Sequence, residues 1–284
     1  MNLPKNPLKV SLTPYLPDSE AHGVIILAPA MGVNQRYYAA LANWLTTKGF
    51  IAVTFDFQGM GVNSPKQLKH IDINITDWIE TDCARVIAWC RESWPDLKIT
   101  WVGHSLSGQI FPLIPNQTEL SGIVSIASGS GFWRLAPMTM RFKALTLWHL
   151  IVPALTPLFG YFPGKKLGVV ANLPKRVIYQ WRKWCLDSDY CLAAAPPSMR
   201  ATFTSTKQKV VALTFDDDHM ISLESARALH RLFARNDIDH QHISSSQTPF
   251  KRIGHFGFFR HRQQEALWAT YLLPAILSVL DQKV

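Results

Sequence analysis

Ile99-Thr100-Trp101-Val102-Gly103-His104-Ser105-Leu106-Ser107-Gly108 passes from four residues of strand character into a turn of small residues, and Gln109–Ile114 continues as a helix. A serine at the apex of such a strand-to-helix turn has a strained backbone and an exposed hydroxyl. Small residues are required two positions before and after it, because strand and helix pass close there. Gly103 meets that requirement and Ser107 is small enough, although glycine is the usual residue at the second position. Pro112 lies in the following helix, where it removes a backbone donor.

The rest of the chain supplies a setting for this turn. Val24–Leu27 is a short apolar run of buried-strand type, followed by a helix over Gln35–Lys48 that Gly49 stops. Phe50–Phe57 reads as a strand and Thr76–Glu92 as an amphipathic helix, with Ile79, Cys83, Val86 and Cys90 on one face. Lys98–Gly103 and Gly122–Ser128 are further strands. Later come a strand at Lys209–Phe215, a helix at Leu223–Asn236, a strand at Asp239–Ser244 and a final helix, about Gln263–Leu280, kinked at Pro274. Apolar strands alternating with helices predict an α/β fold, a mainly parallel sheet with helices on both faces.

The charge is concentrated in one place. The 284 residues carry a formal net charge of +9, yet residues 134–207 hold eleven bases and two acids, Asp187 and Asp189, so everything else sums to zero. That segment is broken by prolines and has no strand rhythm. We therefore divide the chain into an α/β core, residues 1–132 and 208–284, and an inserted, mostly helical cap, residues 133–207. Residues 144–164 contain no Asp, Glu, Lys or Arg, long enough to cross a bilayer. His149, Pro153, Pro157, Gly160 and Pro163 argue instead for a buried or substrate-facing hairpin. The N-terminal Met1–Leu8 shows no signal-peptide pattern, so a cytoplasmic location is expected. Cys83, Cys90, Cys185 and Cys191 have no C-x-x-C spacing and read as reduced, buried thiols.

A serine nucleophile needs a base, and the base an orienting carboxylate. Asp216-Asp217-Asp218-His219-Met220 clusters acids after the Lys209–Phe215 strand, and Gly254-His255-Phe256-Gly257 places a histidine between glycines before the last helix. Singly, the acids fit a solvated loop and the histidine a core or surface residue. The chain order serine, acid, histidine, each after a strand, is what joins them. The turn Ala28-Pro29-Ala30-Met31-Gly32 follows the Val24–Leu27 strand, so the backbone N–H of Met31 and that of Leu106 form a candidate two-donor oxyanion hole.

Taken together, Ala28–Tyr38, Gly103–Gly108, Gly160–Gly168 and Gly254–Arg260 resemble the α/β-hydrolase superfamily, and more closely a group of bacterial serine hydrolases of esterase or lipase type with a cap insertion. The resemblance implies Ser105 as nucleophile and His255 as base. It implies Asp218 as the orienting acid, because Asp218-His219-Met220-Ile221 follows the usual acid-x-apolar-apolar run, with Asp217 as runner-up. The expected activity is hydrolysis of a carboxylic ester with an apolar acyl part, without cofactor or metal. Rival readings are an acyltransferase or thioesterase with the same triad, or a non-catalytic binding protein.

Within the cap, Trp148, Leu155, Phe159 and Phe162 are expected to bind the acyl part of a small-molecule substrate. Its bases fit an acidic substrate group or an anionic membrane surface. Other classes fit poorly. Gly59-Met60-Gly61 lacks the third glycine of a dinucleotide fingerprint, with Ser64 in its place. Asp216–His219 with His240 and His242 lacks a further ligand run for a metal. No stacking-aromatic or helix-turn-helix module supports nucleic-acid binding.

Overall fold

Continuous apolar runs become the middle of a seven-stranded sheet. In the computed structural model β1 (Ser11–Tyr15), β2 (Val24–Ala28), β3 (Ile51–Asp56), β4 (Ile99–His104), β5 (Gly122–Ile126), β8 (Lys209–Phe215) and β9 (Ile238–Ile243) lie in the order β1-β3-β2-β4-β5-β8-β9. The short β6 (Tyr161–Phe162) and β7 (Leu173–Pro174) pair separately. The structure describes residues 10–61, 68–193, 195–233, 238–250, 252–260 and 264–280. Met1–Leu8, Ser64, Gln263 and the end of the expected Leu223–Asn236 helix after Phe233 lie outside the described residues.

Within the seven-stranded sheet all neighbouring pairs are parallel except β1 with β3. β1 is an element the sequence pattern conceals, because its five residues SLTPY include Pro14. Proline is tolerated there because β1 is an edge strand. Residues of β2 alternate between two cores, Val24 and Ile26 on one face, Ile25 and Leu27 on the other. Helix α1 (Ala39–Thr46) and helix α10 (residues 264–280) cover the second face through Leu41, Leu45, Trp268 and Ile276. Helix α2 (residues 75–93) covers the first with Trp78, Ile79, Cys83 and Val86. Asn74 opens α2 with reciprocal capping bonds to Asp77.

The chain leaves β2 for β3 on one side, then continues from β4 to β9 on the other. Such a reversal opens a crevice beyond the carboxyl ends of the two central strands, here β2 and β4. The loop Ala28–Gly32 and the turn at Ser105 both arise there.

Between β5 and β8 the chain forms α4 (Met138–Phe159), α5 (Gly164–Leu167), α6 (Lys175–Leu186) and α7 (Pro197–Ser205), after the short α3 (Leu106–Ile110) that follows β4. Residues 144–164 are not the buried hairpin their prolines predict. They belong largely to one helix, α4, whose outer side is exposed, and the chain turns only at the left-handed Gly160. Pro153 is accommodated because it follows a π-type turn, Leu147–Ile151, where the backbone ladder is already loosened.

Trp148 and Phe162, expected to bind substrate, are instead core residues. Trp148 is buried edge-on against Trp181 and its carbonyl accepts from Arg182 Nε, and Phe162 is fully buried in the same cluster. A large aromatic ring removed from water contributes more by packing than it could at a surface. Leu155 and Phe159 are half-buried, and Lys166 Nζ lies 5.0 Å over the Phe159 ring. Helix α6 is tied to the core by Gln180, whose Oε1 accepts from Ile75 N at 2.6 Å and whose Nε2 donates to Thr76 Oγ1 at 2.7 Å. All four cysteines are buried and free, and burial pushes their thiols up, Cys191 to about 12.

Candidate active site

The turn after β4 is shaped by close backbone approach. A Cβ on Gly103 would stand 2.6 Å from Gly108 N and 2.7 Å from Ser107 O, so only glycine fits. Ser105 adopts φ 52° and ψ −111°, a region costing an L-residue about 1–3 kcal/mol. Its N–H donates to Ile126 O at 2.9 Å and its carbonyl accepts from Ser128 Oγ at 2.8 Å, which fixes the strained residue on both sides. Unlike its buried neighbours, Ser105 is half-buried. After α3 the helix tightens into a 3-10 turn at Phe111–Leu113, the local consequence of Pro112 and its missing donor.

Ser105, His255 and Asp218 meet in one hydrogen-bonded chain. His255 Nδ1 lies 2.8 Å from Asp218 Oδ2, and His255 Nε2 lies 3.0 Å from Ser105 Oγ. An ionised carboxylate only accepts, so Nδ1 carries the proton and Nε2 accepts from the serine hydroxyl. The imidazole and carboxylate side chains are 2% and 1% exposed, which keeps water from competing for either bond. Asp218 Oδ1 accepts from Met220 N at 2.7 Å and Ile221 N at 3.0 Å, so its second oxygen is aimed by the first.

Asp217 has a different place. Its carboxylate accepts from Ile253 N and Gly254 N, each at 2.8 Å, and so holds the short helix α9 (Gly254–Gly257) that carries His255. Asp216 accepts from Ser244 Oγ and Ser245 N, and these bonds, the hydroxyl's first, lower its pKa. Three adjacent acids thus face three directions.

His104 and Ser107 complete the arrangement, and the sequence gives neither away. His104 Nε2 donates to His255 O at 3.0 Å, so its Nδ1 accepts from Tyr38 Oη–H at 2.8 Å. Tyr38 Oη in turn accepts from Ala30 N at 2.9 Å. Burial first, then the nearby His255, holds the His104 pKa well below the usual histidine range, consistent with this neutral tautomer. Ser107 Oγ donates to Pro29 O at 2.5 Å. The residue that stands where glycine is usual therefore ties the elbow to the Ala28–Gly32 loop.

Among the described residues, neither Met31 N–H nor Leu106 N–H has an internal acceptor, although both residues are buried. Buried amides without partners are uncommon. Gly32, at φ +74°, follows Met31, and a Cβ there would stand 2.5 Å from Val170 Cγ2 and 3.0 Å from Ala171 N. The segment between α5 and α6 therefore packs directly on the loop beside Met31. Three other histidines have separate surroundings: His242 Nδ1 bonds Thr214 Oγ1 at 2.9 Å, and the His240 ring lies 4.7 Å from that of His230, tilted by 59°.

A family model described as serine aminopeptidase, S33 matches residues 19–251. None of the curated proteins compared with the sequence matches it. Among solved structures, a complex of DcsB with its substrate analogue has 15% identity and a TM-score of 0.60, over 94% of this chain and 92% of that one. A soluble variant of monoglyceride lipase from Saccharomyces cerevisiae has 16% identity and a TM-score of 0.59, over 83% and 82%. Est1E from Butyrivibrio proteoclasticus, bound to ferulic acid, has 13% identity and a TM-score of 0.60, over 94% and 96%. At these identities the likeness is one of fold.

Proposed function

For a chain that belongs to the serine aminopeptidase S33 family and has the α/β-hydrolase fold, we propose hydrolysis of carboxylic esters through Ser105, His255 and Asp218. The observation that supports this most is the bond from Ser105 Oγ to His255 Nε2, backed by Asp218 on Nδ1. Ser105 Oγ attacks the ester carbonyl carbon while its proton passes to His255 Nε2. The carbonyl π electrons move to oxygen, where the N–H groups of Met31 and Leu106 stabilise the charge. Collapse expels the alcohol, which takes the proton from His255 and leaves an acyl-enzyme. Water, deprotonated by His255, attacks the acyl carbon, and the proton returns to Ser105 as the acid departs. Asp218 holds the imidazole in the required tautomer throughout.

The substrate we propose has an apolar acyl part, with residues 133–207 as a cap beside the oxyanion loop through Val170 and Ala171. An aminopeptidase must accommodate a protonated α-amino group. The net +9 of residues 134–207 opposes a cationic substrate, and this favours an ester over a peptide N-terminus.

The test is fluorophosphonate labelling of the wild type and of Ser105→Ala, followed by esters, thioesters and amides of graded acyl length with water or an alcohol as acceptor. We expect label on Ser105 and turnover of esters to the free acid. A Ser105→Ala protein with undiminished esterase activity rules the assignment out. Preferential transfer to the alcohol makes the protein an acyltransferase.

A further inference from the structure

A globular helix ordinarily turns its apolar side inward. Helix α4 carries apolar residues on its outer side as well. It is 22 residues long, and its most apolar stretch has a mean hydropathy of 1.3 but is only 17% buried. Every fourth residue from Met138 (Phe142, Thr146, Leu150, Ala154, Leu158) is exposed, with Met138, Phe142, Leu150 and Leu158 between 65% and 83% open to solvent. A four-residue step overshoots the 3.6-residue turn by about 40°, so such a row winds around an ideal helix. The π-type turn Leu147–Ile151 takes more residues per turn and offsets part of that winding. The opposite row, Trp148, Val152 and Thr156, is buried, with Trp148 against Trp181 of α6. These contacts hold α4 on the body of the protein, so its outer row can meet a partner only side-on.

The charges beside that row have one sign. Residues 133–186 contain no Asp or Glu, while Arg141 and Lys143 lie on α4 itself. Past its end, Lys165, Lys166, Leu167 and Val169 are exposed, and Lys166 Nζ over the Phe159 ring places this tip at the end of α4. An exposed apolar row flanked by bases alone matches the interface of an anionic bilayer, where acyl chains take the apolar side chains and headgroups take the bases. A second copy of the chain fits poorly, because pairing two such faces brings like charges together.

We propose that α4 and the Lys165–Val169 tip form an in-plane docking face for a membrane surface rich in anionic lipid. The face adjoins the candidate active site, since the tip continues into Val170 and Ala171 on Gly32, but its binding does not depend on the chemistry at Ser105.

The test uses the full chain carrying Ser105→Ala, so that turnover cannot disturb the lipid. Co-sedimentation is measured with phosphatidylcholine vesicles, alone or with about one third phosphatidylglycerol, at low and high salt. We expect binding to the anionic vesicles that salt weakens. Phe142→Asp with Leu158→Asp should lower partitioning at least about tenfold. Lys165→Glu with Lys166→Glu should lower it by on the order of tenfold or more, each variant keeping the parent's thermal midpoint. Equal binding to neutral and anionic vesicles overturns the proposal, as does retained binding by the Phe142/Leu158 variant. Sedimentation as a dimer that the same variant dissociates assigns the face to a second copy and overturns it too.

Discussion

The surroundings of Ser105 and those of Leu150 are built on opposite terms. Around Ser105, polar groups are buried or half-buried and nearly all engaged: half-buried Asp217 with two amides, buried Asp218 with two amides and an imidazole, and buried His104 with a carbonyl and a phenol. The Met31 and Leu106 amides have no acceptor among the described residues. Around Leu150, apolar groups are exposed and nothing engages their outer side among the described residues. The difference teaches where each region is sensitive. A buried polar network fails atom by atom, because removing one partner strands the other. An exposed apolar row contributes little to the folded state, and its replacement is felt only by whatever it meets.

The sharpest way to break this comparison is at the two neighbouring acids. Asp218→Asn should lower kcat by about 10⁴-fold, since an amide no longer holds the required imidazole tautomer. Asp217→Asn should cost only about 10- to 100-fold, because it loosens the helix carrying His255 without touching the ring. Equal losses in ester turnover would mean that the two carboxylates share one role.

Next in size is an exception within the sheet's own surroundings. His230, on helix α8 (Leu223–His230), is 4% exposed, and neither ring nitrogen has a hydrogen-bond partner among the described residues. Burial first, and then His240, lower its pKa to about 3, against 6.5 for the free side chain. The unfolded chain therefore binds this proton more readily than the folded one. The stabilisation is complete above pH 6.5 and is lost as pH falls toward 3, by up to several kcal/mol. Urea unfolding of wild type and His230→Phe across that range should show the variant's stability falling less steeply. Parallel profiles would leave His230 with no part in acid sensitivity.

Tyr38→Phe should be smaller, about 1–3 kcal/mol in urea unfolding, because the Ala30 N–H and His104 Nδ1 lose their shared partner while the ring stays buried. Smallest of all, Phe142→Asp should change unfolding stability by no more than about 0.5 kcal/mol, the usual range for an exposed site. A loss of several kcal/mol there would show that the outer row of α4 is covered by the protein itself.

Much of the sheet was legible because strands buried on both faces read as unbroken apolar runs, as in Val24–Leu27 and Ile99–Val102. Chain order, each residue after a strand, pointed to Ser105, an acid among Asp216–Asp218, and His255, while the preference for Asp218 over Asp217 came from the resemblance. In the structure the three bonded in a chain are Ser105, His255 and Asp218. Other features depend on partners distant in sequence. Ser107 looks like a weak substitute for glycine until its hydroxyl is seen on Pro29, 78 residues away. His104 hides behind the serine it precedes, and Asp217 behind the acid it precedes. β1 escapes because Pro14 argues against a strand unless the strand is at an edge. The long run of α4 escapes because a π-type turn, which no residue pattern announces, absorbs the effect of Pro153.

The contact of Val170 and Ala171 with Gly32 puts the outer tip and the loop beside Met31 in direct touch. Suppose a partner at the outer tip shifts these residues relative to the loop beside Met31, and so alters how tightly an oxyanion is held. Reciprocity then requires that a tetrahedral adduct on Ser105 change the tip's affinity for that partner by the same factor. An inhibitor bound at the serine becomes a reporter of what touches the far side of the insertion, readable without following any reaction.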